Sequence, residues 1–158
     1  MKKLLIPLAL ASFKLSYCQD SIFGVYNIGT SLPGEKTNGT VLKLNCDHSY
    51  LRADSITKDW GKWELKDKDL LILHIDTISA NGRTEKFQVK VQYKLIGQKL
   101  VLHDKEYSKK AFKDFIHYVN KNTTDPMFKI RYSDETYEKY RLSTMNLYFE
   151  KKEIITCR

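Results

Sequence analysis

The chain has 158 residues, with 27 Lys and Arg against 19 Asp and Glu and a formal net charge of +8, a length that suits one domain built on one core. Its basic residues are spread along the sequence instead of clustering, which argues against a nucleic-acid partner. Neither HExxH nor GxSxG occurs, so the usual signatures of a zinc peptidase or a serine hydrolase are missing, and no cofactor, metal site or enzymatic activity is expected.

The first signal in chain order is for export. Lys2 and Lys3 precede the apolar run Leu4 to Phe13, which ends at Lys14 and is followed by Ser16, Tyr17 and Cys18. A charged start, a short apolar stretch and small residues before a cut are the parts of a secretory signal peptide. The run is far short of the ~20 residues that cross a bilayer, and no transmembrane segment is expected. Cleavage after Cys18 would remove residues 1–18 and leave a single domain, 19–158, beginning at Gln19. That domain carries 24 basic residues against 19 acidic ones, or +5, once Lys2, Lys3 and Lys14 are gone. The alternative is a lipid on Cys18, for which LSYC is a partial match with bulky Tyr17 at a small-residue position. Either way the expected location is periplasmic or extracellular.

Beyond the leader, Phe23 to Ile28, Val41 to Asn45 and Ser49 to Ala53 read as strands, the last returning from a turn at Asp47. Trp60 and Trp63 lie three apart and so face opposite sides of the next strand, with Trp63 inward. The clearest strand is Lys86 to Leu95, where Phe87, Val89, Val91, Tyr93 and Leu95 alternate with Gln88, Lys90, Gln92 and Lys94. A Gly97-Gln98 hairpin turn sets Leu95 opposite Leu100 and Tyr93 opposite Leu102. An Asn81-Gly82 turn sets His74 opposite Val89 and Ile72 opposite Val91. A turn at Asp67-Lys68 sets Trp63 opposite Ile72 and Leu65 opposite Leu70. These registers predict an inward row of Leu65, Leu70, Tyr93 and Leu102 within about seven antiparallel strands before residue 105.

Ser108 can cap a helix with the stripe Phe112, Phe115, Ile116 and Val119. Leu71, Leu73 and Ile75 make a second apolar face on their strand, and this helix is expected to cover it. Asp125-Pro126 ends the pattern, after which Met127 to Tyr132 and Thr144 to Ile155 are predicted as late strands. The fold class is therefore mainly β: an antiparallel meander with one C-terminal helix packed on it.

With Cys18 gone, Cys46 and Cys157 remain, and an even count in an oxidising compartment predicts a disulfide between them, two free thiols being the alternative. His74 and Asp76, both predicted inward, suggest a polar site in a pocket, the start of a general base and its orienter with no nucleophile tied to them, or a histidine at the sheet's rim with a carboxylate or water partner. The candidate ligand-binding residues are Trp63, Ile72, His74, Asp76, Val91 and Tyr93. GTSLPGEKT, from Gly29 to Thr37, approaches a phosphate-binding loop, but Glu35 would face the phosphate and no strand-loop-helix context surrounds it.

GVYNI at Gly24, LKLNCDHSYL at Leu42 and WGKWELKDKDLLIL at Trp60 resemble small exported lipocalin-like proteins of bacteria. The likeness runs from Ile22 to about Asp104, with Tyr26 where lipocalins proper usually carry tryptophan. The resemblance implies an antiparallel barrel or half-barrel followed by a helix. Two functions fit: a non-catalytic exported protein holding an apolar small molecule inside the barrel, or a protein-interaction module with a filled barrel that presents Trp60 and the tyrosine-rich tail. A void of ~300 Å³ or more separates the first from the second.

Overall fold

A computed structural model describes residues 22–122, 126 and 129–157. The expected signal peptide, with Cys18, lies outside the described residues, as do Met127 and Phe128 of one expected strand. Among the described residues, eight strands close into an antiparallel barrel in chain order: β1 (Gly24–Thr30), β2 (Val41–Leu44), β3 (Ser49–Ala53), β4 (Thr57–Lys66), β5 (Leu70–Ala80), β6 (Arg83–Ile96), β7 (Lys99–Leu102) and β8 (Leu147–Ile154). β8 completes the ring by pairing with both β7 and β1. Closure leaves no unpaired sheet edge.

Between β7 and β8 come a short 3₁₀ turn at Asp104–Tyr107 and two helices, α1 (Lys109–Asn122) and α2 (Asp134–Met145). Ser108 caps α1 as expected, its Oγ accepting from the Ala111 N–H at 3.0 Å. α2 occupies a stretch expected to lead from one strand into another, and its cap explains it. Ser133 Oγ accepts from the Thr136 N–H at 3.1 Å while Thr136 Oγ1 accepts from the Ser133 N–H at 2.9 Å, a reciprocal pair that satisfies two donors left over at a helix start. Residues 129–133 form no strand.

The Gly97-Gln98 hairpin has the expected register, with Leu95 opposite Leu100 and Tyr93 opposite Leu102. The two hairpins of β5 do not. The β4–β5 loop is three residues long, Asp67 to Asp69, with Asp67 and Lys68 both left-handed (φ 54° and 67°), so Leu65 pairs with Leu71 and Trp63 with Leu73. Asn81-Gly82 does form a two-residue turn, setting Ala80 opposite Arg83, but the register shifts between Ile75 and Thr77. Beyond that shift Leu73 pairs with Val91 and His74 with Lys90.

A slip of one residue exchanges the two faces of a strand. Leu71, Leu73 and Ile75 are therefore the buried inward residues of β5, Ile72 and His74 belong to its outer face, and the inward row is Leu65, Leu71, Tyr93 and Leu102. Gly61 stands opposite Ile75, beside the matching irregularity in the β4–β5 ladder. A Cβ there would lie 2.0 Å from the His74 carbonyl oxygen, so only glycine allows the two backbones to come this close.

The antiparallel order collects the β2–β3, β4–β5 and β6–β7 turns, and the end of β8, at one end of the barrel. That end is closed. Trp63 is buried there, stacked on His48 at 4.6 Å, edge-on to Phe23 at 5.4 Å, and donating from Nε1 to the Asn45 carbonyl at 3.1 Å. Cys46 and Cys157 are joined beside it, Cα to Cα 5.6 Å, tying the β2–β3 turn to the segment after β8. A core of Tyr26, Leu42, Leu44, Tyr50, Leu71, Leu73 and Leu100 fills this half.

At the opposite end sit the 3₁₀ turn and both helices. α1 does not lie on the outside of the sheet, because the face it was expected to cover is the barrel interior. Instead Phe112 and Ile116 pack with Tyr137 of α2 in a second small core. Neither helix is long and apolar enough to cross a membrane.

Candidate functional site

Three strands place a polar layer across the middle of the barrel. Arg52 of β3 lies directly opposite Asp59 of β4, each at an inward position in phase with Tyr50 and Trp63 respectively. Arg52 Nε donates to Asp59 Oδ2 at 2.7 Å and Nη1 donates to the Tyr93 hydroxyl at 2.8 Å; the Tyr50 hydroxyl donates to Asp59 Oδ1 at 2.9 Å. Burial raises the pKa of Tyr50, and the neighbouring Asp59 charge adds to it; burial raises that of Tyr93 as well. Both phenols therefore remain neutral at physiological pH, and the Arg52–Asp59 pair is left internally balanced.

Above this layer, toward the helices, the barrel is open inside. The cavity measures about 880 Å³, within the range typical of small-molecule sites. Ile75, Ile78, Val91 and Leu102 of the barrel, Phe115 and Val119 of α1 and Tyr140 of α2 form its apolar wall. Ile75 and Ile78 both reach it although they are three apart, because the register shift between them rotates the strand by one residue. Packing of the Tyr140 ring on Phe112 at 4.6 Å and on Phe115 at 6.0 Å joins the two helices over the opening.

Glu106, in the 3₁₀ turn, also lines the cavity. It is half-buried, and burial pushes its pKa above the usual glutamate value, opposed in part by a hydrogen bond from the Gln92 backbone N–H. Next to it in sequence, the Tyr107 hydroxyl is buried with no hydrogen-bond partner among the described residues, and burial pushes its pKa up to about 12.

Of the six residues singled out from sequence, Val91 and Tyr93 line this cavity. Trp63 is inward but belongs to the closed end. Ile72, His74 and Asp76 do not reach the interior: Ile72 and His74 lie on the outer face of β5, where His74 Nε2 sits 3.0 Å from Glu64 Oε1, and Asp76 is exposed at the register shift. The inward His74–Asp76 pair is thus corrected by the loop and the irregularity that set the β5 register.

Sequence reading missed Arg52, Asp59 and Glu106. The first two carried a usable signal, since Arg52 alternates in phase with Tyr50, and Asp59 with Trp63. Among the described residues, no three His, Cys, Asp or Glu side chains come together as a metal site would require. Compared with protein-family models, curated proteins and solved structures, the chain matches none.

Proposed function

We propose that this is a non-catalytic, exported, lipocalin-like protein that holds an apolar small molecule in the helix-covered half of its barrel. The observation that carries the reading is the cavity of about 880 Å³, far above the ~300 Å³ that a small ligand needs. Its wall is largely aliphatic and aromatic, so an apolar molecule entering it would leave water for a site that is already formed. Export is supported by the leader pattern of residues 1–18 and by the Cys46–Cys157 bond, which belongs in an oxidising compartment.

The protein-interaction reading keeps one observation in its favour. Trp60 is exposed on the outer face directly opposite exposed Leu51, a pair that could anchor a partner. The tyrosines of the tail favour it less, because Tyr137 is buried between the helices and Tyr140 is turned to the cavity.

Titration with the uncharged fluorescent probe N-phenyl-1-naphthylamine tests the binding reading. Saturable enhancement at one probe per chain is expected. Absent or non-saturating enhancement would favour a surface role instead.

A further inference from the structure

The charges around the cavity indicate what its polar end accepts, an inference that rests on the binding reading above. Most of these charges are already spent. Arg52 and Asp59 balance one another at 2.7 Å. Asp54 uses its carboxylate on the backbone N–H groups of Ile56 and Thr57, each at 2.7 Å, and Asp114 pairs with Lys110 at 2.6 Å. Lys90 is exposed to solvent at the rim.

Glu106 accepts from the Gln92 backbone N–H but has no counter-charge: no ion pair among the described residues includes it, and His103 acts on it only through space. Its charge is felt by the hydroxyls of Tyr93 and Tyr140, and the Tyr140 hydroxyl donates to its backbone carbonyl at 3.5 Å. A half-buried carboxylate is stabilised most by a cation brought to it.

We infer that the cavity takes a hydrophobic amine, its alkyl or aryl body against Ile75, Val91 and Phe115 and its protonated nitrogen at the Glu106 carboxylate beside Tyr93 and Tyr140. A ligand carboxylate fits this arrangement poorly. It would have to compete with Asp59 for Arg52 while facing Glu106.

Calorimetric titration with decylamine, decanol and decanoate at pH 7 separates the cases, because the three share a chain and differ only in the head. Decylamine is expected to bind at least about tenfold more tightly than either of the others, a difference that one desolvated charge-assisted contact can supply. The chain's net positive charge makes this ranking diagnostic, since non-specific adsorption would favour decanoate. Glu106→Gln, checked for folding by circular dichroism, should reduce decylamine to the level of decanol, whereas Lys94→Ala, exposed on the outer face, should leave the preference for decylamine intact. Decanol binding as tightly as decylamine, or decanoate binding best, would overturn the amine assignment while leaving the apolar cavity reading in place. Failure of all three to bind would overturn both.

Discussion

Arg52 and Asp59 face one another across the β3–β4 ladder and are joined at 2.7 Å inside the barrel, with Tyr50 closing on the carboxylate and Tyr93 on the guanidinium. The pair separates a filled half of the barrel from a hollow one. Its charges cancel, so the layer is polar without being a strong anion or cation site.

Breaking that pair from one side should be more harmful than removing it. Asp59→Ala leaves the partly buried Arg52 guanidinium without its counter-charge and the Tyr50 hydroxyl without its acceptor, and should destabilise the fold by up to about 3–5 kcal/mol. The double variant Arg52→Met with Asp59→Leu should lose markedly less. Urea melts of the three proteins check this, and a double variant at least as unstable as Asp59→Ala would contradict the account.

The facing of β5 and β6 makes a second set of expectations. Tyr93 is buried and Lys94 exposed, so Tyr93→Ala should cost about 3–5 kcal/mol and Lys94→Ala well under 1. His74 lies on the outer face in a partly exposed pair with Glu64, and His74→Ala should change stability by less than about 1 kcal/mol. A loss from His74→Ala comparable to that from Tyr93→Ala in denaturant melts would mean that the β5 register is misassigned.

The Cys46–Cys157 bond fastens the closed end. Non-reducing peptide mapping should recover one linked pair, and replacing both cysteines by serine should cost about 2–5 kcal/mol. Two freely alkylated thiols in the undenatured protein would contradict the bond.

How far the sequence reaches can be seen strand by strand. β6 alternates apolar and polar residues, and Gly97-Gln98 fixes its partner, so that hairpin is legible in full. β5 is not, because Leu70 to Ile75 is apolar on both faces apart from His74 and periodicity cannot choose between them. The choice falls to one extra loop residue at Asp69 and to the register shift beside Asp76, neither of which the pattern marks. The ring of strands survives this error, since seven strands before residue 105 and an eighth near the C-terminus are independent of which face is inward. The site does not survive it, and half of the expected site residues fall outside the barrel. α2 was legible through Ser133 and Thr136, but Tyr137 and Tyr140 make too short an apolar stripe to mark a helix by periodicity.

The most direct test of a ligand cavity inside the barrel is to fill it. Val91 lines the cavity, whereas Lys94, three residues further along β6, is exposed. N-phenyl-1-naphthylamine binding should be lost or weakened at least about tenfold in Val91→Trp, where the indole occupies the empty volume, and kept in Lys94→Trp, with both variants verified as folded by circular dichroism. Undiminished binding in a folded Val91→Trp protein would place the probe elsewhere and contradict the account.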